Sequence, residues 1–179
     1  MEKEHVSNLI SQLNKLRIKY VFTGAFALAY YGFPRTSADV DIIVEKNKNK
    51  LLELVKALRI NDYDVSESDV SEAVESCGHF AVFHKRRMFP YFDFKVACTK
   101  DEHDAISNCK VVGFHGVKCR IVSVEDLILK KIEWGDLKDV ETILVRYGDK
   151  LDMEKLYTLA KAKHVYEKLQ DLIKSYRKP

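Results

Sequence analysis

The tripeptide Asp39-Val40-Asp41 stands at the head of an apolar run that continues Ile42-Ile43-Val44. A β-strand is the extended conformation that suits such a run, and side chains two residues apart in a strand project from the same face. Val40, Ile42 and Val44 then face a core, while Asp39 and Asp41 lie side by side on the other surface. Neighbouring carboxylates repel unless a cation sits between them. Hard oxygen donors of this kind suit Mg²⁺ or Mn²⁺, which take one or two carboxylates and complete their shell with water and substrate phosphate oxygens. The alternative is a strand end with two solvated aspartates, and the spacing alone leaves both readings open.

The surrounding pattern alternates helices and strands. Val6, Leu9, Ile10, Leu13 and Leu16 recur at helical spacing. Tyr20-Val21-Phe22-Thr23 is short and β-prone and runs into Gly24, after which Ala25 to Tyr31 is helix-compatible until Gly32-Phe33-Pro34 stops it. Positions 46–60 predict a helix with Leu51, Leu54, Val55 and Leu58 inward, and Ser68 to Cys77 a second, capped by Ser68 and ended by Gly78. Phe80 to Phe83 and Tyr91 to Ala97 read as strands joined by His84-Lys85-Arg86-Arg87, and 111–114 with 117–122 as a hairpin across His115-Gly116. From Ser123 onward the signal is helical: to about Trp134, then 136–147, then 152–176 as one broken helix or two short ones. The expected class is α+β: a short mixed β-sheet flanked by helices in residues 1–122, with a C-terminal helical tail in 123–179 and a joint at Trp134-Gly135.

Charge excludes little, because 30 Lys and Arg against 27 Asp and Glu leave a net +3. The longest mostly apolar stretch, Tyr20 to Phe33, is broken by Thr23, Gly24 and Gly32 and is too short for the roughly 30 Å hydrocarbon layer. The charged start, Met1-Glu2-Lys3-Glu4-His5, is unlike a signal core, so a cytoplasmic location without membrane partners is expected. Cys77, Cys98, Cys109 and Cys119 form no Cys-x-x-Cys pair and read as reduced, mostly buried small hydrophobes. No Gly-rich phosphate loop, Gly-x-Gly-x-x-Gly, His-Glu-x-x-His or Gly-x-Ser-x-Gly is present, so a nucleotide would have to be held another way.

Two features add to the aspartate pair. Gly24, at a strand end before a helix, lets backbone amides approach a phosphate closely, although a plain tight turn accounts for it equally. Asp93, in Phe92-Asp93-Phe94-Lys95-Val96, is opposite in face to the apolar positions of its strand and supplies a third carboxylate, or an ordinary solvent-facing acid. Lys85-Arg86-Arg87 reads as a solvated turn in preference to a polyanion guide, Trp134 as packing between sheet and tail, and none of the six histidines receives a role.

Gly24-Ala25, Gly32-Phe33-Pro34-Arg35-Thr36, Asp39-Val40-Asp41 and the later Asp93 together resemble the nucleotidyltransferase superfamily of the DNA polymerase β type. The likeness is nearest to small stand-alone proteins related to the abortive-infection toxins. Val124-Glu125-Asp126-Leu127-Ile128-Leu129-Lys130-Lys131, followed by Lys138-Asp139-Val140, looks like their helical tail segment. The resemblance implies a two-metal transfer of a nucleoside monophosphate from a nucleoside triphosphate to an acceptor hydroxyl on RNA, protein or a small molecule. Residue by residue it implies Asp39, Asp41 and Asp93 as catalytic, metal-holding carboxylates, with Mg²⁺ or Mn²⁺ as cofactor. It likewise implies Gly24, Ala25, Arg35, Thr36 and Lys131 as nucleotide-binding residues, Lys131 being oriented by Asp139 and the tail covering the cleft. The family has Gly or Ser where this chain has Ala25, which removes one hydroxyl contact. A catalytically silent binding module of a toxin and antitoxin pair is the alternative reading, and a protein partner or homodimer fits either.

Overall fold

The computed structural model describes residues 3–34 and 36–176. The chain forms two compact units that divide after Val122, the segment Tyr31–Phe33 belonging with the second.

In the first unit the elements run α1 (Lys3–Lys15), β1 (Tyr20–Phe22), α2 (Gly24–Tyr30), β2 (Asp39–Val44), α3 (Lys48–Ile60), β3 (Tyr63–Asp64), α4 (Glu67–Ser76), β4 (His79–His84), β5 (Arg87–Val96), α5 (Lys100–Ser107), β6 (Lys110–Phe114) and β7 (Val117–Ile121). The seven strands form one mixed sheet in the order β3-β4-β5-β2-β1-β7-β6. β2 runs antiparallel to β1 and parallel to β5. Strand alternation sorts the side chains: Val40, Ile42, Val44, Phe92, Phe94 and Val96 are all buried, whereas Asp39, Asp41, Tyr91 and Asp93 occupy the alternate positions and are partly exposed.

Local rules account for the boundaries. Asn47 caps α3 by accepting from the Lys50 amide at 3.2 Å. Ser66, and not the expected Ser68, caps α4 by accepting from the Asp69 amide at 3.2 Å. The cap must stand three residues before its donor, and Ser68 is already inside the helix. α5 and β3 were not expected. α5 is held by a capping box between Thr99 and Glu102, and β3 is a two-residue edge strand too short for periodicity to reveal.

The cysteine expectation is corrected: Cys77 and Cys98 form a disulfide, whereas Cys109 and Cys119 are free thiols. The sheet brings the two together, since Cys77 closes α4 just before β4 and Cys98 follows β5, the antiparallel neighbour of β4.

The second unit contains α6 (Val124–Trp134), α7 (Leu137–Tyr147), α8 (Met153–Ala162) and α9 (Tyr166–Tyr176), so the final helical stretch is two helices. Ile128, Ile132, Val140, Ile143, Leu144, Leu156, Ala160 and Leu169 form its core. Trp134 is not packed as expected but 63% exposed, with the Lys130 ammonium 5.0 Å above its ring. No helix among the described residues is long and apolar enough to cross a membrane.

Phe94, fully buried, stacks on Phe80 with ring centroids 4.8 Å apart at the centre of the sheet. Phe94→Ala is expected to cost about 3–5 kcal/mol, from lost transfer energy plus a cavity. The exposed Phe83→Ala is expected to cost less than about 1 kcal/mol. Urea unfolding of the two variants measures the contrast.

Candidate active site

The parallel register of β2 and β5 sets Asp39 opposite Tyr91 and Asp41 opposite Asp93. Cross-strand partners share a face, so Asp39, Asp41 and Asp93 all rise from one surface of the sheet. Asp39 is fixed by the Ser37 hydroxyl, which donates to its Oδ1 at 2.6 Å. Asp93 Oδ2 lies 2.9 Å from Nδ1 of His79 on β4. The Tyr91 hydroxyl lies in the field of all three acids: desolvation first, then the charges of Asp39, Asp93 and Asp41, raise its pKa above the ordinary tyrosine value.

Gly24 closes the site from the β1 side. The Thr23 amide donates to the Asp41 carbonyl at 3.0 Å, extending the β1 and β2 pairing to the strand end. Gly24 then turns the chain with φ +55°, and a Cβ there would fall 1.8 Å from Asp41 Oδ2. Only glycine lets the backbone lie against that carboxylate. Ala25 follows, buried in the first turn of α2. Thr36 is exposed in the coil that leads to β2, and Arg35 lies outside the described residues.

Lys131 belongs to the second unit. Its side chain is 3% exposed, and its ammonium meets Asp136 Oδ2 at 2.8 Å and Asp139 Oδ2 at 2.9 Å. The expected pairing with Asp139 is present, joined by Asp136, and the lysine is buried and neutralised in place of lying on a solvated helix face.

Three participants were not singled out from the sequence. His79 and Tyr91 reach the carboxylates only through strand register, and Phe83 stacks on Tyr91 with centroids 5.1 Å apart. Strand alternation two residues from Asp93 was the one available signal for Tyr91.

The donor set is hard and anionic. Among the described residues no three Asp, Glu, His or Cys side chains form a ready-made metal cage. Two neighbouring carboxylates with a glycine turn beside them fit Mg²⁺ or Mn²⁺ in the way these ions bind, with part of the shell left to substrate phosphate and water.

Solved structures share this architecture. The antibiotic-resistance factor ANT(2'')-Ia in solution superposes with a TM-score of 0.58 at 16% identity, over 95% of each chain. The same factor crystallised with adenylyl-2''-tobramycin gives 0.54 at 17% identity, over 98% of this chain and 97% of that one. An antigenic nucleotidyltransferase-like protein from Paracoccidioides brasiliensis gives 0.56 at 17% identity, over 96% and 91%. This chain has the nucleotidyltransferase fold. No family model and no curated protein matches its sequence.

Two substitutions test the local construction. Gly24→Ala is expected to lower stability by about 1–3 kcal/mol through its left-handed backbone alone, with displacement of the Asp41 carboxylate added, read as a fall in melting temperature. Lys131→Met leaves Asp136 and Asp139 without their shared cation. Breaking a fully buried pair costs roughly 3–5 kcal/mol, and because Asp136 is 46% exposed a loss of roughly 2 kcal/mol is expected on urea unfolding after allowing for solvent screening.

Proposed function

We propose that the chain is a metal-dependent nucleotidyltransferase that moves a nucleoside monophosphate from a nucleoside triphosphate to an acceptor hydroxyl. The observation that carries this reading is the convergence of Asp39, Asp41 and Asp93 on one sheet face beside the Gly24 turn, in a fold shared with nucleotidyltransferases. In the reaction the acceptor oxygen attacks the α-phosphorus, the bond to the β-phosphate oxygen breaks and pyrophosphate leaves. Phosphoryl chemistry of this kind needs positioning and charge neutralisation more than a protein nucleophile.

Asp39 and Asp41 would hold Mg²⁺ or Mn²⁺ with Asp93, and the ion's chemistry is to neutralise the phosphate oxygens and lower the pKa of the attacking hydroxyl. Asp93 receives the acceptor proton, with its other interactions fixed by His79. The Gly24 and Ala25 amides border the triphosphate, and Arg35 and Thr36 contribute from the connection into β2. Lys131 is left out of this reading, because two carboxylates of its own unit already engage its ammonium.

The test is incubation with each α-labelled nucleoside triphosphate, Mg²⁺ and separate acceptor pools. Tobramycin is the first small molecule to try, since a similar structure holds its adenylyl adduct, with RNA and protein beside it. Label should enter one pool in the presence of Mg²⁺ and none with chelator. Asp41→Asn, nearly equal in volume, is expected to lower transfer at least about a hundredfold while the melting temperature stays within a few degrees. Equal transfer by wild type and variant would overturn the assignment.

A further inference from the structure

A second site lies at the other end of β1, at the strand terminus opposite the Gly24 turn. Here a groove of about 690 Å³ opens between the end of α1, the turn into β1 and the β6–β7 hairpin. Its walls carry Arg17, Lys19, Lys118 and Arg120 and no carboxylate. In a chain whose charges nearly balance at +3, four cations around one concavity are a local excess.

The fold fixes the Arg120 side chain and the backbone that carries the other three cations. The Arg120 guanidinium lies 5.5 Å over the fully buried Tyr20 ring and donates to Asn14 Oδ1 at 3.1 Å. Asn14 in turn donates to the Lys118 carbonyl at 2.7 Å, tying the hairpin to α1. The turn is pinned on both sides of Ile18: the Arg17 carbonyl accepts from Lys50 Nζ at 2.7 Å, and the Lys19 amide donates to Glu45 Oε1 at 2.9 Å. Arg17 itself adopts φ +52°. Glu45, the acid that meets the Lys19 amide, is itself engaged by Lys50 at 2.7 Å. Arg17 and Lys118 make no ion pair among the described residues.

We infer that this groove binds a single strand of nucleic acid through its phosphates. A concave trough admits a strand, whereas a flat bilayer surface meets only its rim. Val111, 58% exposed, gives the wall an apolar surface for sugar or base, and cations tracking a backbone supply the sequence-independent term of such binding. The inference does not rest on the transfer reaction, so it is tested without triphosphate or Mg²⁺.

The probe is a short fluorescent oligouridylate, titrated with the full chain and read by anisotropy over a range of salt. Four phosphate contacts predict a slope of log affinity against log salt of about −3. Arg17→Glu with Lys118→Glu should weaken binding about tenfold or more, at unchanged melting temperature, both side chains being exposed. A control with the same charge change elsewhere, Lys56→Glu with Lys85→Glu, should bind as wild type. Overturning results are no binding at low salt, equal weakening by the control, displacement of the RNA by polyglutamate at the same charge concentration, or binding to phosphatidylserine vesicles but not to RNA.

Discussion

The pairing of β2 with β5 in parallel register places Asp41 beside Asp93, with Asp39 one pleat away. Three carboxylates on one face of a sheet repel, and the unit must supply the compensation. Part of it comes from buried aromatics on the reverse of the sheet, where Phe92 and Phe94 of β5 and Phe80 of the neighbouring β4 are withdrawn from water. Part comes from neighbours of the carboxylates, the Ser37 hydroxyl on Asp39 and the His79 ring on Asp93. The polar face is thus kept open by stability gained on the other face.

Gly24 shows how tightly that polar face is assembled. The backbone occupies space that any side chain would deny to the Asp41 carboxylate, so strand end, turn and acid form one construction. The disulfide between Cys77 and Cys98 joins the ends of α4 and β5 nearby. The Lys95 ammonium donates to the Cys77 carbonyl and faces Glu102 Oε1 at 3.6 Å, so the chain on both sides of β5 is tied to its neighbours.

Lys131 shows the same logic in the second unit. A buried ammonium is tolerable when carboxylates meet it, and Asp136 and Asp139 do so from the turn and first residues of α7. The resemblance brought Lys131 forward together with Asp139, and the two ion pairs account for its burial.

Apart from α5 and β3, the order of helices and strands was legible in the sequence because the signals are local. The alternation of Asp39, Asp41 and Asp93 with apolar residues, the leucine stripes of α1 and α3, and the helix start at Ser123 all act within a few residues. The same alternation brought the three aspartates forward as candidates. What the tertiary structure decided is what depends on register between distant segments: the placing of His79 and Tyr91 against the carboxylates, the meeting of Cys77 with Cys98, and the gathering of Arg17, Lys19, Lys118 and Arg120 around one groove. Residues separated by tens of positions carry no mutual signal in one sequence, since only hydrogen-bonded strand pairing sets which of them become neighbours.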